Sequence, residues 1–314
     1  MVSLSSLVNS KESYVAYNAA AALRLERAGR LRDTMLADPR IIGLARSLGD
    51  WPGPVIASRK SSRQHFHILA FLAEIGLKPE NLGMGSVVAA ILRSMDVSAM
   101  PTLPSSQGIG GWAFCDAPNT LYGLARMGVK DPRIAQGMDF IASKVRHSGG
   151  GGGGGCGCEV SPSFGAWRGP GRAADPCPYA TMIVLRLLSL EPDRYESQIR
   201  SCAAAIQNLW ARSRDFHPYI FYMGEDFRKL KLPSSWYDIL SVADALSRHS
   251  AGIEEPGFGE MLALILSKET DSGFVPESNY RPWKEFDIGQ NKKPSDGMSL
   301  RVRIIQARAE GHVS

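Results

Sequence analysis

The chain has 314 residues, 44% hydrophobic and 21% charged, with a formal net charge of +5. The charge is scattered, with no block of like charges, which argues against a nucleic-acid arm or partner. The sequence also lacks the run of about 18 apolar residues that a transmembrane segment needs. The polar, acid-bearing start, Met1 to Tyr14, does not read as a signal peptide. Five irregularly spaced cysteines do not suggest a disulfide scaffold, so the expected compartment is cytoplasmic and the thiols reduced.

Residues 10–50 are rich in Ala, Leu and Arg at helical spacing, and Asp38-Pro39 reads as a capping residue with proline at the first helical position. Trp51-Pro52-Gly53-Pro54 interrupts the chain. Gln64 to Ile75 predicts a strong helix closed by Gly76, and Val87 to Leu92 predicts another. These elements form an N-terminal helical extension, residues 1–100, expected to pack on a ring formed by the rest of the chain.

From about residue 101 the text repeats. The first unit runs from Gly110-Gly111-Trp112 through a helix at Pro118 to Met127, then Asp131-Pro132 ahead of a second helix, Ile134 to Val145. The second comprises the Gly149 to Trp167 loop, with seven consecutive glycines (Gly149 to Gly155), and helices at Pro178 to Leu190 and Tyr195 to Trp210. The third covers Tyr219 to Lys231, Trp236 to His249 and Gly259 to Ser267. The fourth opens at Ser272-Gly273-Phe274 and ends in a helix, Gly297 to Ala309. Repetition at this period predicts a solenoid or closed ring of helix pairs, an all-α fold. The glycine run reads as a surface loop and carries no function.

Aligning the first helix of each unit places Asp116, Cys177, Asp238 and Asp296 at equivalent helix starts. From 116 to 177 and from 177 to 238 is 61 residues each, and from 238 to 296 is 58. In a ring, such positions face one end of the central cavity. Asp175 and Cys177 make an Asp-x-Cys step at a helix entrance, a donor pair suited to zinc. Helix capping by Asp175 and Asp238, simple burial of Cys177, and solvation of the loop cations Arg168 and Arg172 are the alternatives for the same residues.

Here the sequence resembles the protein prenyltransferase β-subunits, and through Gln107 to Trp112 the squalene cyclase-like repeats, of the α/α-toroid superfamily. The resemblance covers residues from about 110 to 310 and implies an α/α toroid of about four units. In that family an Asp-x-Cys step after a basic loop ligates zinc, with a His one unit later. The matching dipeptide is Tyr237-Asp238, with Asp in place of His. The resemblance thus implies a zinc set of Asp175, Cys177 and Asp238, with Cys177, Asp238 and Asp116 as catalytic candidates. It further implies diphosphate contacts from Arg168 and Arg172; the aromatic Trp167, Tyr179 and Tyr237 are substrate-contact candidates through their repeated placement at unit openings, with loop and core packing as the alternative. The implied activity is a prenyltransferase-like enzyme acting on an allylic diphosphate, with a hydrophobic isoprenoid as its small-molecule partner. The family's transferases work with a helical α-subunit, but nothing in this sequence identifies a protein partner. The acid motifs of terpene cyclases, Asp-x-Asp-Asp and Asp-Asp-x-x-Asp, do not occur. A cyclase relative without that chemistry and a non-catalytic lipid-binding toroid stay open.

Overall fold

The computed structural model describes residues 2–55, 58–104, 108, 110–147, 154–165, 175–216, 218 and 221–313. It is 53% helix and 4% strand, so the fold is all-α. In chain order the helices are α1 (Leu4–Leu7), α2 (Ser13–Ala22), α3 (Ala28–Leu36), α4 (Pro39–Ser47), α5 (His65–Glu74), α6 (Met84–Arg93), α7 (Ala117–Met127) and α8 (Pro132–Ser143). They continue with α9 (Pro178–Leu188), α10 (Pro192–Ala211), α11 (Ile239–Leu246), α12 (Ser250–Ile253), α13 (Pro256–Leu266) and α14 (Asp296–Ala309). The one two-stranded pairing among the described residues, Leu103–Pro104 against Gly110–Gly111, is antiparallel.

Several helix starts follow from local chemistry. Asp38 accepts a hydrogen bond from the Arg40 amide at 2.9 Å ahead of α4. Asp131 does the same for Arg133 at 3.0 Å ahead of α8. In both, proline takes the first helical position, where its missing N–H costs nothing. Gly128 ends α7 in the left-handed region, at φ 82°, where a Cβ is unfavourable.

Burial divides the helices into two layers. Every residue of α9 and α11 is buried, as is most of α5 and α7. By contrast α3 buries only Met35, and α13 only Phe258, Met261 and Ile265. A helix apolar on all sides must lie inside, and one with a single apolar stripe must lie outside. Along the chain the layers alternate: buried α5, α7, α9 and α11 are each followed by a more exposed partner.

The buried helices contact one another in sequence order, α5 on α7, α7 on α9, α9 on α11 and α11 on α14. The α5–α7 approach is close enough that a Cβ on Gly123 would stand 2.7 Å from Leu69 Cγ. The N-terminal section supplies neighbours in this same row, because α2 packs on α14. α2 also meets α5, through the Tyr14–Phe71 edge contact at 5.7 Å and a hydrogen bond from Asn18 Nδ2 to the Ile75 carbonyl at 3.2 Å. In the predicted third unit residues 221–238 are turns and loop, and the helix predicted from Trp236 starts at Ile239. Among the described residues no helix is long and apolar enough to cross a membrane.

Candidate functional site

The helix-start register holds. Asp116, Cys177 and Asp238 occupy the cap positions of α7, α9 and α11, and Asp296 is the first residue of α14. Each, however, is occupied locally. Asp116 is fully buried, pairs with Arg59 Nε at 2.8 Å and accepts from the Ala113 amide at 3.1 Å. Burial raises its pKa in spite of the Arg59 charge. Asp238 accepts from the Ser241 amide at 2.9 Å and from Ser241 Oγ at 3.0 Å, while burial lifts its carboxyl to about 7. Asp296 accepts from Ser10 Oγ at 2.5 Å.

Cys177 is buried and its amide donates to the Cys156 carbonyl at 2.7 Å. Its thiol is hydrogen-bonded to Cys158, and both that bond and burial push its pKa up. The Asp175 carbonyl accepts from Arg146 Nη2 at 2.9 Å. Among the described residues no three His, Cys, Asp or Glu side chains stand together in a group able to hold a metal ion. The donors of the implied zinc set are turned to other partners: Cys177 to a second thiol and Asp238 to the end of its own helix. Tyr179 is buried, accepts from Asn119 Nδ2 at 3.1 Å and stacks on Trp236 at 4.5 Å. The Tyr237 hydroxyl is buried with no hydrogen-bond partner among the described residues. Trp167, Arg168 and Arg172 lie outside the described residues, as does most of the glycine run.

The opposite ends of the same buried helices hold a different chemistry, which the repeat pattern of acids does not reveal. Two carboxylates, the part-buried Glu74 at the end of α5 and the buried Asp244 near the end of α11, sit among arginines. Arg248 Nη2 lies 2.9 Å from Glu74 Oε1 and 2.9 Å from Asp244 Oδ2. Arg301 Nη1 lies 3.2 Å from Glu74 Oε2 and 3.0 Å from Asp244 Oδ1, which Arg308 Nη1 also meets at 3.0 Å. Tyr122 donates its hydroxyl to Glu74 and accepts from Arg248 Nη1 at 3.1 Å. The surrounding guanidinium groups hold both carboxyls well below the usual carboxylate range, against the opposing effect of burial.

Arg186, on α9, differs from the others. It is 8% exposed, it lies over the Tyr122 ring at 4.3 Å, and its Nη2 donates to Asn119 Oδ1 at 2.6 Å. Its Nε has no partner, and among the described residues no carboxylate forms an ion pair with it. A buried cation without a counter-ion is costly, by several kcal/mol, unless something neutralises it.

Arg186, Arg301, Arg308 and the exposed Arg126 line a cavity of about 100 Å³. His67 also lines it, held neutral because burial lowers its pKa to about 4, with Nδ1 unpartnered. The remaining lining includes the Glu74 carboxylate, already paired with Arg248 and Arg301, and the apolar Phe71, Leu232, Ile288, Leu300 and Ile304. Counting Arg248 behind the wall, five guanidinium groups face two carboxylates, an excess of three positive charges. Burial and the neighbouring Arg248 charge lower the Arg308 pKa, a sign of crowding among cations.

The sequence does carry a signal for this site. Arg126, Arg186, Arg248 and Arg308 repeat at 60, 62 and 60 residues, the unit length already seen in the acids. Arg186 and Asp244 also interrupt otherwise apolar helices, where a charge demands a partner. No protein-family model matches the chain, and no curated protein matches it.

Proposed function

We propose that the chain is a prenyltransferase-like α/α toroid that takes an isoprenoid diphosphate by its head group, at the arginine-lined cavity rather than at the helix starts. The toroid reading is supported by the cyclic order of contacts, in which α2 adjoins both α14 and α5. The observation that carries the ligand reading is Arg186, a buried guanidinium with no ion-paired carboxylate among the described residues, lining one cavity with Arg126, Arg301 and Arg308. Guanidinium groups match phosphate oxygens through paired, charge-assisted hydrogen bonds.

The volume sets a limit on the pose. At about 100 Å³ the cavity is smaller than the roughly 300–1,000 Å³ that encloses a whole drug-sized ligand. The diphosphate sits inside, and the hydrocarbon leaves along the apolar wall of Leu232, Ile288, Leu300 and Ile304. Fixed guanidinium groups would neutralise the negative charge that grows on the diphosphate as its bond to the allylic carbon breaks. Zinc, implied by the resemblance, would require Cys177 and Asp238 to exchange their present partners.

The small volume favours one second reading, a receptor for a short phosphorylated ligand with no transfer chemistry. Calorimetric titration with inorganic diphosphate, farnesyl diphosphate and farnesol separates the two. Tighter binding of farnesyl diphosphate than of inorganic diphosphate, lost in Arg186→Met, supports the isoprenoid reading. Equal binding of both supports the short ligand. Binding of neither diphosphate overturns both.

A further inference from the structure

His67, on α5, is held by its surroundings in one hydrogen-bonding state. Its Nε2 lies 2.8 Å from the Arg59 carbonyl oxygen. A carbonyl can only accept, so Nε2 carries the ring proton and Nδ1 of the neutral imidazole is a bare acceptor. Burial, with the Arg186 charge in support, lowers the ring pKa to about 4, so the ring is neutral near pH 7. The side chain is buried and lines the arginine cavity, and Nδ1 has no partner among the described residues.

The same cavity holds a second unanswered polar atom of the opposite kind. Arg186 Nε is a buried donor without a partner among the described residues, so the two orphans do not satisfy each other. Around them stand Arg126 of α7, Arg301 and Arg308 of α14, Glu74 of α5 and Tyr14 of α2, and none of these donates to Nδ1. Tyr14 gives its hydroxyl to Asp287 at 3.1 Å, and Glu74 is taken by Arg248 and Arg301. An occupant that answers both orphans must accept at one atom and donate at another. A water molecule does this but leaves the excess positive charge in place. A fully ionised oxyanion neutralises the charge but turns a lone pair toward Nδ1. A phosphoryl group that keeps one proton does both: its ionised oxygen accepts from Arg186, and its P–OH donates to His67.

On the diphosphate reading of this cavity, on which the inference rests, we propose that the phosphoryl group binds together with one proton, held between His67 Nδ1 and a phosphoryl oxygen, and that the site therefore prefers phosphates and diphosphates to sulfate. The proton count is the same whether the nitrogen or the oxygen holds it. An ester that arrives fully ionised takes up a proton on binding. Phosphate esters lose their last proton near pH 6, so regaining it near neutral pH costs little, about 1.4 kcal/mol per pH unit. Sulfate is a far weaker base, and its only route is protonation of His67, which burial and the Arg186 charge oppose.

Competition calorimetry on the full chain, at about pH 7.5, tests this. Inorganic phosphate and sulfate are close in shape and charge and differ in the proton. Phosphate should displace bound inorganic diphosphate at a concentration at least about tenfold below that needed for sulfate. Farnesyl diphosphate, largely ionised at this pH, should bind with uptake of at least about half a proton, read from the heats in buffers of different ionisation enthalpy. His67→Gln keeps a donor for the Arg59 carbonyl but removes the acceptor. In it the preference for phosphate should shrink to within about threefold and the proton uptake should vanish. His67→Phe gives the same readout should the glutamine variant fold poorly. Sulfate competing as well as phosphate, neither competing, binding without proton uptake, or an unchanged preference in both variants overturns the proposal and leaves the diphosphate reading in place. Failure of diphosphate itself to bind removes both.

Discussion

The two ends of the buried helices carry the same unit repeat and opposite solutions to burying charge. At the starts, Asp116, Asp238 and Asp296 each find a nearby partner: Arg59, Ser241 and Ser10. At the finishes, charges from α5, α9, α11 and α14 meet in one network, with more cations than anions. A helix start offers free N–H groups to an acid, as Asp238 uses them, and each acid is satisfied one-to-one, Asp116 and Asp296 by Arg59 and Ser10, more distant in the chain. A helix finish offers carbonyls and the negative end of the dipole, which suits arginine but supplies no compact counter-ion. The acids at one end therefore serve the fold, and the arginines at the other have charge left over for a ligand.

The largest effect that would break this contrast is at Asp244. Asp244→Ala leaves Arg248, Arg301 and Arg308 short of a carboxylate, and the expected loss is about 3–5 kcal/mol of stability by denaturant unfolding. A loss below about 1 kcal/mol would show that the network is hydrated and not a buried charge cluster.

Next in size is ligand stabilisation. At about 100 times its Kd, a diphosphate bound only to the folded state adds about 2.7 kcal/mol, or roughly 4 °C in Tm for a chain of this length. Arg186→Met should abolish that shift, while changing the unliganded stability by about 1–3 kcal/mol, because the buried Asn119 Oδ1 loses its donor but no carboxylate loses an ion pair. A large loss of unliganded stability would mean that Arg186 is a structural cation.

Asp238 sharpens the other side of the comparison. A carboxyl whose folded pKa of about 7 exceeds its unfolded value near 3.9 holds its proton longer when folded. Its contribution to stability therefore falls as pH rises from about 4 to about 7. Glu12, raised to about 7 chiefly by burial, acts in the same direction. Asp238→Asn should flatten the decline of Tm over this window and leave the fold intact. An unchanged pH profile in that variant would remove Asp238 from the explanation. The smallest effect is expected at the exposed Arg200–Glu196 pair, where Arg200→Ala should leave the melting curve unmoved.

Much of the helical architecture was legible in the sequence, because helix signals are local. Asp38-Pro39 and Asp131-Pro132 announce their caps, and continuous apolar runs such as Pro178 to Leu188 announce an interior helix. The repeat placed Asp116, Cys177 and Asp238 at matching helix starts, for the same local reason. The internal packing of the loop at 221–238 was not legible, since Phe221 and Phe227 pack on Trp236 and Tyr237 within it without any helical or strand periodicity.

The amino-acid order by itself determined the helices, their unit length and the spacing of both the acids and the arginines. Only the tertiary structure decided which charges are balanced. An ion pair depends on side chains far apart in sequence, such as Glu74 with Arg248 and Arg301, reaching within about 3 Å in a medium too poor in water to screen them. For that reason Asp238 proves to be a cap, and Arg186 a buried cation without an ion-paired carboxylate among the described residues.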